Sequence, residues 1–328
     1  MAGIVRSGDV VRAPTVRCRV RPAPGPGSSP RGPGDAALLA CRCRGVVLLW
    51  PVTQGGTWRV ARRLWNAAVD PTAERTVAPV CPRVCDGAPD GDPAPDVLAR
   101  VRAIGPYFAV TCGPRPDAAR FRPLTDLYAD RDGALGAYVA EVGRRLGTGQ
   151  RRVAASTLHI GTAARLWSVT LAVAALTGRA PGLAPDRVWW STPESGPVDL
   201  WLPEVPALSA PAGGDLPGAL HETVVVRHLQ PLGDALRAHC GLSPHVLRGN
   251  AAAALIGALR VLTTHAPDAP CPPLPLVAGL LAREPLAGAG AFTPRPLTYR
   301  RRSCCLYYRV RGGGLCGECV LKPSGTPR

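Results

Sequence analysis

The chain closes on Arg300-Arg301-Arg302-Ser303-Cys304-Cys305-Leu306-Tyr307-Tyr308-Arg309-Val310-Arg311-Gly312-Gly313-Gly314-Leu315-Cys316-Gly317-Glu318-Cys319, which puts four thiols within sixteen positions. Cys316 and Cys319 have C-x2-C spacing, in which a tight turn, helped by Gly317, lets two thiolates converge on one metal ion. Cys304 and Cys305 are adjacent, and ten residues separate them from that turn. Gly312, Gly313 and Gly314 can take positive φ and reverse the chain, so the two cysteine pairs can face one another. The pattern is that of a four-thiolate site.

Two kinds of metal centre fit four thiolates. Structural zinc ribbons build both halves from C-x2-C knuckles. Adjacent cysteines point their Cβ atoms in different directions unless the backbone between them is contorted. Two irons bridged by sulfide form a larger object than one zinc ion and suit adjacent ligands better. A zinc-stabilised interaction module without redox activity is the alternative.

The pattern C-C-x10-C-x2-C, with Tyr307 and Tyr308 after the first pair and a Gly-rich approach to the second, resembles the C-terminal domain of FhuF-like ferric iron reductases. Upstream phrases resemble the body of the same family over roughly residues 97 to 322. They are Ile104-Gly105-Pro106-Tyr107-Phe108, Ala163-Ala164-Arg165-Leu166-Trp167-Ser168 and Leu247-Arg248-Gly249-Asn250. The resemblance implies a cytoplasmic ferric siderophore reductase. It implies one 2Fe-2S cluster per chain, held by Cys304, Cys305, Cys316 and Cys319, which are at once metal ligands, cofactor site and electron-transfer residues. The implied partners are a ferric siderophore, hydroxamates first, and a separate electron donor such as a ferredoxin or a flavodoxin-like carrier.

Composition is consistent with that picture. The 328 residues, 46% apolar, suffice for a buried core. Lys322 is the one lysine among 39 basic residues, so the arginine excess reflects GC-rich coding more than selection for guanidinium chemistry. The net charge of +16 divides as +6 over residues 1–95, +4 over 96–298 and +6 over 299–328. The central body therefore lacks the concentrated basic stripe or readout motif of a nucleic-acid binder. No secretory h-region follows the N-terminus. The uncharged apolar stretch Leu166 to Gly178 is 13 residues, against about 20 for a spanning helix, so no transmembrane segment is expected. Clustered cysteines in a reducing cytosol bind metal more often than they cross-link.

Residues 1–95, with 13 Pro and 11 Gly, read as an extension that is disordered or precedes the true start. Short strands are expected there at Val46–Trp50 and Thr57–Val60. Cys41, Cys43, Cys81 and Cys85 have no recognised knuckle spacing. From Asp96 the apolar periodicity becomes regular, and residues 96–298 form the body. Helices are expected from Val97 to Ile104, Pro123 to Tyr128, Gly133 to Arg145, Ser156 to Leu176, Pro231 to His239, Pro244 to Leu262 and Leu274 to Leu281. Arg187–Trp190 and Val198–Leu202 read as antiparallel strands around a polar turn, and Thr223–Val226 as a third strand. The fold class is α+β: a mostly helical body, a small antiparallel sheet and a C-terminal four-cysteine iron-sulfur appendage over residues 299–328.

Other chemistries lack a motif. There is no Gly-x-Ser-x-Gly elbow, phosphate loop or His-Glu-x-x-His helix. His159 reads as a packed histidine, His221-Glu222 and His228 as surface or packing residues, and Trp167 as core. Arg144, Arg145, Arg151 and Arg152 read as a solvated cluster, and Tyr307 and Tyr308 as shielding for the cysteines. Asn250 is a candidate for polar structure near a substrate pocket. Arg300, Arg301, Arg302, Arg309 and Arg311 either stabilise an anionic centre and attract an acidic donor, or form a solvated basic tail.

Overall fold

The computed structural model describes residues 38–43, 46–51, 94–194 and 196–322, and the chain divides into one unit over Met1–Ala78 and another over Pro79–Arg328. In the first unit, β1 (Leu38–Cys43) pairs antiparallel with β2 (Val46–Pro51), from Leu38 opposite Pro51 to Cys43 opposite Val46. β2 is the strand expected at Val46–Trp50. The strand expected at Thr57–Val60, and Cys81 and Cys85, lie outside the described residues.

The second unit opens with α1 (Ala94–Ile104), which starts two residues before Asp96 and buries Val97, Leu98 and Val101. Short strands β3 (Thr111–Cys112) and β4 (Arg122–Pro123) lead to α2 (Leu124–Tyr128) and α3 (Ala134–Arg145). The long α4 (Arg151–Thr177) ends at Gly178, whose φ of 67° supplies the left-handed cap expected there. Strands β5 (Ala180–Pro181), β6 (Trp189–Ser191), β7 (Asp199–Leu202) and β8 (Leu208–Ser209) follow. β6 and β7 are the expected antiparallel pair, with Trp189 opposite Trp201. The sheet is larger and more mixed than expected: its order is β3-β7-β6-β4, and β3 runs parallel to β7.

The strand expected at Thr223–Val226 is helical. α5 (Leu216–His221) starts at Asp215, whose carboxylate accepts from the Gly218 amide at 2.9 Å, and continues through wide π turns over Glu222–Leu229 into α6 (Gln230–Cys240). The buried residues Val224, Val225, His228 and Leu229 recur at helical rather than alternate spacing. Thr223 donates its hydroxyl to Ala219 O at 2.9 Å. β-branched side chains only weakly disfavour a helix, and burial against the body outweighs that preference. Helices α7 (Pro244–His265) and α8 (Pro273–Leu281) and the hairpin β9 (Gly290–Pro294)–β10 (Leu297–Arg301) complete the unit. The hairpin gave no recognised signal in the sequence.

The core is built on α4 and α7. α4 buries residues on every side, among them Ala155, Ala163, Leu166, Trp167 and Leu171, and α7 buries Ala251 to Ile256 and Leu259. A helix apolar all round belongs in a core, and the alanines let these two axes pack closely. Both helices are long and apolar enough to cross a membrane by length and composition, yet 78% and 72% of their most apolar windows are buried inside this fold.

One buried cation joins the core helix to the sheet. Arg165 is 2% exposed and donates Nε to Val198 O at 2.9 Å, Nη1 to Pro106 O at 2.8 Å and Nη2 to Ala109 O. Burial pulls its guanidinium down to about 10, so it remains charged at neutral pH. Arg165→Met leaves three carbonyls without this donor and should cost about 2–4 kcal/mol in urea unfolding, because charged hydrogen bonds to buried acceptors are the costly ones to lose. An unchanged midpoint would show that these bonds do not secure the sheet.

Candidate metal centre

The cysteine segment lies against the ends of the two core helices. β10 ends at Arg301, whose amide donates to Glu318 O at 3.0 Å and so brings the second cysteine pair beside the approach to the first. Arg300 holds the returning chain by donating Nη2 to Val320 O at 3.0 Å and Lys322 O at 2.7 Å. Glu318 is ion-paired with Arg260 on α7. The reversal between the pairs uses the glycine run as expected, with φ of 76° at Gly312 and 63° at Gly314.

The first pair meets the geometric demand that adjacent cysteines make. Leu306, directly after Cys305, adopts φ 68°, a left-handed conformation that a leucine rarely takes. That contortion turns the Leu306 amide back onto Cys304 Sγ at 3.3 Å. The second pair has a matching bond, from the Leu321 amide to Cys319 Sγ at 3.4 Å. The turn itself closes through the Cys319 amide and Cys316 O at 3.2 Å. Cys305 Sγ and Cys316 Sγ are 3.4 Å apart, so one thiol from each pair touches across the reversal. Two thiolates on one tetrahedral metal, at bonds of about 2.3 Å, sit roughly 3.8 Å apart, close to that separation. As the side chains stand, no three His, Cys, Asp or Glu residues among the described ones converge on a single ion.

These four are free thiols, as are Cys112 and Cys240 elsewhere, whereas Cys271 is disulfide-bonded. The hydrogen bond from Cys316 pulls the Cys305 thiol down to about 6 despite burial, and backbone hydrogen bonding at Tyr307 and the charge of Arg301 act in the same direction. The Cys316 thiol, as donor, is held far above its usual range. Burial raises the Cys304 thiol, with its neighbours Cys305 and Cys319 adding to the rise.

A buried polar seam seats this segment on the core. Ser156 on α4 donates its hydroxyl to Cys305 O at 2.7 Å. Asn250 on α7, fully buried, donates Nδ2 to Ser156 O and Oγ, both at 3.0 Å, and accepts from Arg301 Nη2 at 2.6 Å. Arg301 Nε in turn donates to Ser303 O at 3.0 Å. Gly249 makes room: a Cβ there would lie 2.1 Å from Ser303 Oγ and 2.9 Å from Arg301 Nη2. Two buried atoms in this seam, Arg301 Nη1 and Ser303 Oγ, have no hydrogen-bond partner.

The other sites weighed in the sequence are structural. His159 is buried and kept neutral, its imidazole pulled down to about 3 by burial and the Arg301 charge. His228 is buried between Tyr128 OH and Leu183 O, each at 2.7 Å. His221 contacts Glu284 O at 2.6 Å and Glu222 pairs with Arg227. Arg144 and Arg145 pair with Glu141, and Arg151 contacts His239. Trp167 is core, and Tyr308 is exposed. Reading the sequence missed Ser156, Arg260 and Glu318 as anchors; the one available signal was small polar residues on otherwise apolar helices.

Residues 301–321 match the family model described as the FhuF 2Fe-2S C-terminal domain, which supports an FhuF-like family with a C-terminal cluster domain. No curated protein matches the chain. The matched span contains all four thiols, and the donor set is chemically suited to iron-sulfur ligation: sulfur donors, backbone N–H···S bonds and a buried guanidinium with one nitrogen, Arg301 Nη1, left without a hydrogen-bond partner.

Metal-free protein should show a thiolate ultraviolet absorbance step near pH 6, present above that pH and absent below it. Cys305→Ser should remove the step. A titration that begins only above pH 8 would contradict the Cys305–Cys316 contact.

Proposed function

We propose that this chain, carrying the cluster domain of the FhuF-like family, is a ferric siderophore reductase whose Cys304, Cys305, Cys316 and Cys319 hold one 2Fe-2S group. The observation that carries the reading is the coincidence of the family match over residues 301–321 with two pairs of free thiols on facing turns, one sulfur of each pair in contact across the reversal. Bound there, the group supplies one-electron transfer. The chain's own residues then position it: Ser156, Asn250 and Arg301 fix the first turn to the core, and Arg260 and Glu318 fix the second.

A ferric siderophore holds iron through hard oxygen donors that bind Fe(III) strongly and Fe(II) weakly, so one electron releases the metal. Hydroxamates are the favoured class, since catecholates stabilise Fe(III) more. A pocket of about 220 Å³ provides a site in the body, with His159, Leu229, Gly233, Arg237, Leu247 and Arg248 in its lining. It shares both core helices with the cysteine seam: His159 is one turn from Ser156, and Arg248 precedes Gly249. Electrons come from a separate cytoplasmic carrier, a ferredoxin or flavodoxin-like protein. Tyr308, Leu315 and Leu321 are exposed beside the cysteines and give such a carrier an approach.

Each single Cys→Ser change at the four positions should abolish visible absorbance and iron content in anaerobically isolated protein, while Cys112→Ser and Cys240→Ser should leave both intact. Full iron retention in Cys305→Ser would break the four-cysteine assignment. Dithionite-reduced protein should return to its oxidised spectrum on mixing with a ferric hydroxamate, as an Fe(II) chelator traps about one iron per centre oxidised. A four-serine variant that releases Fe(II) as fast as the wild type would refute the function.

A further inference from the structure

The five arginines of the cysteine segment occupy different environments. Arg302, Arg309 and Arg311 are exposed, and Arg300 is spent on the carbonyls of Val320 and Lys322. Arg301 alone is fully buried, at 2% exposure. Its Nε and Nη2 are taken by the neutral acceptors Ser303 O and Asn250 Oδ1, and its Nη1 has no hydrogen-bond partner. Among the described residues no carboxylate lies in ion-pair contact with it; Glu318, whose carbonyl meets the Arg301 amide, points its carboxylate to Arg260. A buried guanidinium without a counter-ion costs several kcal/mol in folding, so a protein that keeps one generally supplies an anion from elsewhere.

The anion on hand is sulfur. Arg301 has its side chain tied to the carbonyl immediately before Cys304 and its amide to the carbonyl immediately before Cys319. It is therefore anchored between the two cysteine pairs. Four thiolates, two ferric ions and two sulfides carry a net negative charge, which grows by one when a single electron arrives from an external one-electron donor. No bond breaks in that step. A fixed cation in a low-dielectric seam favours the more negative state, and the effect is larger than that of the exposed arginines, which water screens.

We propose that Arg301 is the internal counter-cation of the cysteine centre and the positioning residue that raises its reduction potential, so that a carrier of moderate potential can load the electron. This rests on the proposed cluster. It assigns the electrostatic role to one buried residue rather than to the basic tail as a whole.

The test is an anaerobic dye-mediated redox titration of the full chain, wild type against Arg301→Gln, Arg301→Lys and the exposed control Arg311→Gln. In Arg301→Gln protein that holds iron, the reduced-to-oxidised ratio at a fixed poise should fall at least tenfold, about 59 mV for a one-electron couple. Arg301→Lys should recover most of that loss, and Arg311→Gln should stay within roughly threefold of the wild type, as screened charges do. If Arg301→Gln does not fold, Asn250→Asp serves in its place where it holds iron: a carboxylate at the Asn250 Oδ1 position, 2.6 Å from the guanidinium, pairs the cation and should produce the same fall, although its other oxygen no longer donates to Ser156. An unchanged potential in whichever of the two holds iron, or a fall in Arg301→Lys equal to that in Arg301→Gln, overturns the proposal. Wild-type protein that binds no iron would instead refute the cluster reading beneath it.

Discussion

The hydrogen bond from Arg301 Nη2 to Asn250 Oδ1, 2.6 Å long and shut away from water, is the contact on which the C-terminal segment depends. Asn250 sits where α7 packs on α4 and spends its own donor on Ser156, so a single amide connects both core helices to the strand that leads into the cysteines. Buried polar groups are expensive unless each finds a partner, and that expense fixes one geometry for the segment. Gly249 belongs to the same constraint, because any side chain there would displace Ser303 and Arg301 together. The cysteines are thus tied to both core helices.

That arrangement explains how a short segment can present four sulfurs. The backbone strain at Leu306 aims an amide at Cys304, and the returning turn does the same for Cys319, so each pair carries one sulfur stabilised by a backbone donor and one engaged across the reversal. Donors of this kind stabilise thiolate charge and tune whatever the thiolates bind. The pocket beside His159 is lined in part by the same two helices that seat the cysteine segment.

Much of this was legible in the sequence. The four cysteines, the glycine reversal, the core helix ending at Gly178 and the Trp189–Trp201 strand pairing all follow from spacing and periodicity. Thr223–Val226 misled because three valines in a row look like a strand, and the burial of Val224, Val225, His228 and Leu229 against the body makes the helix the better solution. The Arg300–Arg302 run could not be resolved either. Burial of one arginine among three neighbours depends on Gly249 and Asn250, some fifty residues away in the chain, and no local pattern encodes that contact.

The central claim is that these four sulfurs hold iron and sulfide instead of zinc. Metal and acid-labile sulfide analysis of the full chain, isolated anaerobically and without reconstitution, decides it most directly. The account predicts about two irons and two sulfides per chain in a red-brown protein, with zinc well below stoichiometric. One zinc per chain, no labile sulfide and a colourless protein would contradict it, because a filled d-shell gives no visible charge transfer and no electron to pass on.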